Sequence, residues 1–208
     1  MPKYLTSRVL LASLALLAAC ERSPSGGGGG VEPGDLVFLR ASSSAPPVAA
    51  VHAEFWAVQG ENREVRIRYQ PRAGQSQGED LLRFRVSGNT RMRRPDGTAL
   101  AEDDSIRITI DMPDPSRFEF QFAPSGMRFD REPAELRVSY AFANPDFNGD
   151  GRVDGQDDDF EFGFWRREAP GQDWTRIGDL RLHDLAEVRG DITGFTGYAL
   201  AGGTRQAR

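Results

Sequence analysis

Six short runs in this 208-residue chain place an apolar residue at every second position. They are Val65-Arg66-Ile67-Arg68-Tyr69, Leu82-Arg83-Phe84-Arg85-Val86, Ile106-Arg107-Ile108-Thr109-Ile110, Phe118-Glu119-Phe120-Gln121-Phe122, Leu136-Arg137-Val138-Ser139-Tyr140 and Phe160-Glu161-Phe162-Gly163-Phe164. Successive side chains of an extended chain point to opposite faces. This period therefore buries one face and leaves Arg, Glu and Gln on the other. No segment carries a sustained helical stripe. Pro95-Asp96-Gly97-Thr98 and Ala169-Pro170-Gly171-Gln172 are turn signals. Many short strands separated by such turns predict an all-β fold, an antiparallel β-sandwich of two sheets over residues 35–203. The outward arginines read as a solvated strand face with cross-strand Arg–Glu pairs, in preference to a binding stripe. Trp56, Trp165 and Trp174 read as core or sheet packing in preference to sugar stacking.

Ahead of the strands, Lys3 and Arg8 flank an apolar run from Val9 to Ala19, the length of a signal peptide and too short to cross a bilayer. The run ends in Leu17-Ala18-Ala19-Cys20, which resembles the bacterial lipobox. That resemblance implies a diacylglyceryl group on the Cys20 thiol and cleavage of residues 1–19. Cys20 is the only cysteine, so no intramolecular disulfide forms. The alternative is an ordinary secretory signal with a stray cysteine. Residues 20–34 contain Ser23-Pro24-Ser25 and five consecutive glycines, the composition of a flexible tether. No strand precedes these glycines and no helix follows them, which excludes a nucleotide-binding reading. Residues 204–208 form a short tail. The expected location is the bacterial cell envelope, with the chain anchored through lipid to the inner or the outer membrane. The net charge is −5, and losing Lys3 and Arg8 makes it more negative. Nucleic-acid binding is disfavoured on that balance.

Between Tyr140 and Phe162 lies Asp146-Phe147-Asn148-Gly149-Asp150-Gly151-Arg152-Val153-Asp154-Gly155-Gln156-Asp157. Oxygen-bearing side chains occupy positions 1, 3, 5, 9 and 12, with Gly151 at position 6, the order of an EF-hand calcium loop. The ligand set expected is Asp146, Asn148, Asp150, Asp154 and Asp157 with the backbone carbonyl of Arg152, and the cofactor is calcium. Val153 at position 8 is the expected apolar contact with the protein body. The ending in Asp157 resembles the dockerin-like variant of the loop, though only one such loop is found and no helix precedes it. A short exit helix is expected from Asp154 as N-cap. Asp is one methylene shorter than Glu, and four carboxylates partly offset that. The expected dissociation constant is roughly 10⁻⁵ to 10⁻³ M. The alternative is an acidic, solvated hairpin loop without an ion.

The run Phe122-Ala123-Pro124-Ser125-Gly126-Met127-Arg128-Phe129-Asp130, then Pro133 to Tyr140, Phe164-Trp165, Trp174 to Gly178 and Thr193 to Leu200 together resemble the ZU-type β-sandwich of ankyrins, netrin receptors and zonula occludens proteins. The resemblance covers about residues 105–201. It implies an interaction or mechanical module, with the calcium loop inserted between two strands. Some related domains cut their own chain at His-Phe-Ser or His-Phe-Thr, the hydroxyl attacking the preceding carbonyl with histidine as base. The matching residues here are Gly194-Phe195-Thr196, where the histidine is missing.

Other catalytic constellations are thin. His52 and His183 are the two histidines, too few for a His-ligated zinc site, and no Ser stands in a Gly-x-Ser-x-Gly context. Glu54 and Glu161 as a glycosidase pair compete with the plainer reading of solvated strand glutamates. The chain reads as a non-enzymatic, calcium-stabilised envelope lipoprotein with a binding or structural role and an envelope or extracellular protein as partner. The alternatives are a calcium-dependent adhesion or assembly module, and a domain self-cleaving at Phe195-Thr196.

Overall fold

The computed structural model describes residues 30–158, 160, 162–177, 181–183 and 186–203. The signal run, Cys20, most of the tether, Glu161 and the C-terminal tail lie outside the described residues. All six alternating runs lie in or overlap strands: β3 (Arg63–Arg68), β4 (Asp80–Val86), β6 (Ser105–Asp111), β7 (Glu119–Ala123), β9 (Ala134–Ser139) and β10 (Phe162–Arg167). Eight further strands complete the fold. They are β1 (Leu36–Phe38), β2 (His52–Val58), β5 (Arg91–Arg93), β8 (Arg128–Asp130), β11 (Thr175–Arg176), β12 (Arg181–His183), β13 (Glu187–Ile192) and β14 (Gly197–Gly203). One sheet runs β11-β10-β14-β7-β6-β2, with β1 also paired to β14. The second runs β12-β13-β9-β4-β3, and β5 and β8 form a separate ribbon.

The inward halves of both sheets make one core. From the second sheet come Ile67, Leu82, Phe84, Val86, Leu136, Val138 and Val188; from the first come Ile108, Ile110, Phe120, Phe122, Phe164, Tyr198 and Leu200. Phe84 sits at the junction, 5.3 Å from the Phe122 ring across the sandwich and 5.6 Å from Phe195. A second, smaller cluster covers the outer face of the first sheet. There Trp165, Trp174, Leu36, Ala199 and Ala201 pack with Val31 and Phe38. Val31 and Trp174 exchange backbone hydrogen bonds of 2.8 Å in both directions, so the chain joins the fold already at Val31. This second cluster explains why β10 and β14 are apolar on both faces.

Trp165 and Trp174 are packing residues, but Trp56 is not: its side chain is 59% exposed. It stands on the edge strand β2, where Ala57 points inward and the alternation turns Trp56 outward.

On the outer face of the second sheet, Arg66, Arg83, Arg137 and Arg189 stand opposite one another across four strands. Like charges so placed repel. Carboxylates in the neighbouring rows offset this, Glu135 taking both Arg137 and Arg189 at 2.5 Å and Arg66 reaching Glu64 at 2.6 Å and Asp80 at 2.8 Å. Partial burial pushes the Glu135 carboxyl up, but the hydrogen bond from Arg137 and the charges of Arg137, Arg189 and Arg83 outweigh it and hold the group below the usual range. A depressed folded value means the stabilisation is complete above the unfolded carboxylate pKa of about 4.3 and is lost as pH falls through the folded value. Urea unfolding should therefore show Glu135→Gln about 1 kcal/mol less stable at pH 7, with the difference closing below about pH 4. A gap that stays constant down to pH 2 would contradict this assignment.

Candidate functional site

The acidic loop is the connection from β9 to β10. Those strands lie in different sheets, so the segment is a crossover between the two layers and not a hairpin loop. Its entry is tied to the body by backbone bonds: Ser42 N–H to the Phe142 carbonyl at 2.8 Å, and Asn144 N–H to the Arg40 carbonyl at 2.7 Å. Phe142 stacks edge-on to Tyr69 at 4.8 Å. No helix precedes the loop, as the sequence predicts.

Within the loop every side chain of the expected ligand set accepts a backbone N–H. Asp146 takes Gly149 at 2.9 Å and Gly151 at 3.0 Å. Asn148 takes Asp150 at 2.9 Å, Asp150 takes Arg152 at 2.8 Å, and Asp154 takes Gln156 at 2.8 Å. Asp157 closes the loop, one oxygen on Asn148 N–H at 3.1 Å and the other on Asp154 N–H at 2.9 Å. These bonds wind the backbone inward around its own carboxylates. Gly149 and Gly151 hold φ values of 75° and 86°, which side chains rarely adopt. Asp154 sits just ahead of the short helix α1 (Gly155–Asp158), and its side chain caps that helix through Gln156.

Asp157 is only 4% exposed. The N–H groups of Asp154 and Asn148 hold its carboxyl below the usual carboxylate range, so it stays ionised at neutral pH. Ionised carboxylates, an amide oxygen and a backbone carbonyl form a hard-oxygen donor set, which suits calcium by chemical type. Among the described residues, however, no three His, Cys, Asp or Glu side chains are gathered as a metal-holding cluster. The carboxylates are ordered instead by backbone N–H donors.

The anchor of the loop differs from expectation. Val153 is 64% exposed and touches no core, so it is not the contact with the body. Phe147 at position 2 takes that role, packing against the core with its ring 5.5 Å from Phe162. The signal was present as an aromatic among polar neighbours. A one-residue apolar position carries no period to reveal it.

The other sequence candidates separate. Phe195 is fully buried among Phe84, Phe122 and Phe129. Its N–H donates to Met127 at 2.8 Å and its carbonyl accepts from Gly126 at 3.1 Å. Thr196 is buried, with its hydroxyl 3.4 Å from the next carbonyl. The Tyr198 hydroxyl donates to the Gly194 carbonyl, and burial pushes that phenol up to about 12. His52 lies on β2, three strands from β14, where its Nδ1 meets Asp111 at 2.7 Å. Nothing described brings His52 to Thr196. The His183 side chain and Glu161 lie outside the described residues. Glu54 is engaged with Arg107 and His52, each at 3.7 Å.

Comparison of the chain with known protein families, curated proteins and solved structures finds no match.

Proposed function

We propose that the chain is a lipid-anchored envelope protein whose ZU-type β-sandwich is clipped by calcium between its two sheets and serves a binding or structural role. The observation that carries this reading is the loop's hydrogen bonding. All five ligand-position side chains already order the backbone that would surround an ion. Calcium, when bound, would supply two positive charges that offset half of the charge on the four carboxylates. Asp146, Asn148, Asp150, Asp154, Asp157 and the Arg152 carbonyl would hold it, and the chain's own part is to keep that segment in one shape. Because the loop joins the layers, ordering it fixes the distance over which the β9 sheet is tied to the β10 sheet.

Among the described residues no helix is long and apolar enough to cross a membrane. Attachment is assigned to acylation of Cys20 on the lipobox-like Leu17-Ala18-Ala19-Cys20, with the glycine-rich segment as spacer. Two measurements test the reading. Calorimetric titration with calcium should give one site in the range of roughly 10⁻⁵ to 10⁻³ M. Cys20→Ser should move the protein from the membrane pellet to the soluble fraction. Absence of any calcium heat removes the clip; retention of the variant in the pellet removes the lipid anchor.

A further inference from the structure

A cleft of about 1030 Å³ opens between the β5–β8 ribbon and the end of the first sheet, well away from the acidic loop. Its lining includes Arg93 and Arg94, Arg128, which stands opposite Arg93 across the ribbon, and Arg166 of β10. The buried Met127, Phe129 and Phe195 lie beneath this lining. Four guanidinium groups against the carboxylates of Asp96, Asp130 and Glu168 leave the lining with a small positive excess, in a chain of net charge −5.

Two of the three carboxylates of the cleft are ion-paired. Asp130 is taken by Arg93, Glu168 by Arg166, and Asp96 accepts Thr98 N–H at 2.8 Å. The arginines keep donors to spare. Each guanidinium has five N–H donors, and these pairs use few of them. Arg94 is held only loosely, 3.5 Å from Asp104. Arg128 is exposed and makes no ion pair among the described residues. Arg166 also lines the cleft, where it is paired with Glu168. Guanidinium donors in excess around one polar concavity suit planar oxyanions.

We propose that this cleft binds a small molecule carrying two or more carboxylate or phosphate groups. Arg128, which makes no ion pair among the described residues, and Arg94, held only loosely by Asp104, supply the principal donors, with Arg93 and Arg166 in the same lining. The volume admits a metabolite-sized anion, and the net negative charge of the chain opposes an extended polyanion.

The test is calorimetric titration of the full chain, at low ionic strength and without added calcium, using citrate and inorganic pyrophosphate as probes and acetate as the single-charge comparison. At least one probe should bind about tenfold tighter than acetate. Arg94→Gln combined with Arg128→Gln should weaken it by about tenfold or more, and Arg128→Lys should lose a large part of that even though the charge is kept. Arg85→Gln removes an exposed arginine elsewhere, on the second sheet, and should leave binding unchanged. The proposal is overturned if neither probe binds better than acetate, if the folded double variant binds like the parent, or if Arg85→Gln weakens binding equally.

Discussion

Phe84→Ala should cost about 3–5 kcal/mol of stability and lower the melting temperature by roughly 10 °C or more. The reason lies in the position of this ring. It is fully buried on β4, an inner strand of the second sheet, and meets Phe55 at 6.1 Å, Phe122 at 5.3 Å, Phe129 at 6.2 Å and Phe195 at 5.6 Å. Those partners come from β2, β7, the β5–β8 ribbon and the approach to β14. One truncation therefore removes contacts from both sheets and from the ribbon, and the rigid strands around it cannot close the void. The neighbouring Arg85→Ala, on the solvent face, should stay within about 0.5 kcal/mol. Chemical unfolding of the two variants decides the matter, and a loss below about 1 kcal/mol for Phe84→Ala would show that the aromatic cluster is not the centre of the core.

The same cluster separates what was legible in the sequence from what was not. Strict alternation identified six strands because one face of each meets the core and the other meets water. β14 escaped that pattern. Tyr198 and Leu200 face the main core while Ala199 and Ala201 face the smaller tryptophan cluster, so the segment is apolar throughout. In β2 the contiguous Phe55-Trp56-Ala57-Val58 hides the period, since Trp56 turns outward and the small Ala57 inward. β13 is interrupted by Gly190, whose Cβ would come within 3.1 Å of the Phe164 ring, so the inward position admits only a hydrogen there without adjustment. β5 and β8 are too short to show a period at all.

Spacing alone identified the acidic loop's oxygen positions, because those positions are local. Its place in the fold is a tertiary fact. Alternation says which residues of a strand face inward but not which sheet the strand joins, so a crossover between layers and a hairpin loop look alike. The Phe147 anchor and the exposed Val153 follow from that crossover path, which carries position 2 over Phe162 and leaves position 8 in water.

The size of the proposed calcium effect follows from mass action. With free calcium at about 100 times the dissociation constant, the folded state should gain about 2.7 kcal/mol, raising the melting temperature by roughly 5–10 °C over the same protein in chelator. Two substitutions divide ion binding from loop shape. Asp150→Ala removes one proposed ligand and one backbone contact, to Arg152. It should cost under about 1 kcal/mol in chelator and abolish most of the calcium shift. Asp146→Ala removes a ligand that also holds the N–H groups of Gly149 and Gly151, so it should be less stable than Asp150→Ala even in chelator. Val153→Ser should change neither quantity, because that side chain is exposed. The sandwich should survive all three, since both sheets close over a core that the loop touches only through Phe147. Equal melting temperatures in calcium and chelator for the parent protein would sink the clip, leaving a loop held by its own N–H bonds. Collapse of the whole fold in Asp150→Ala would instead mean that the crossover sets how the sheets pack.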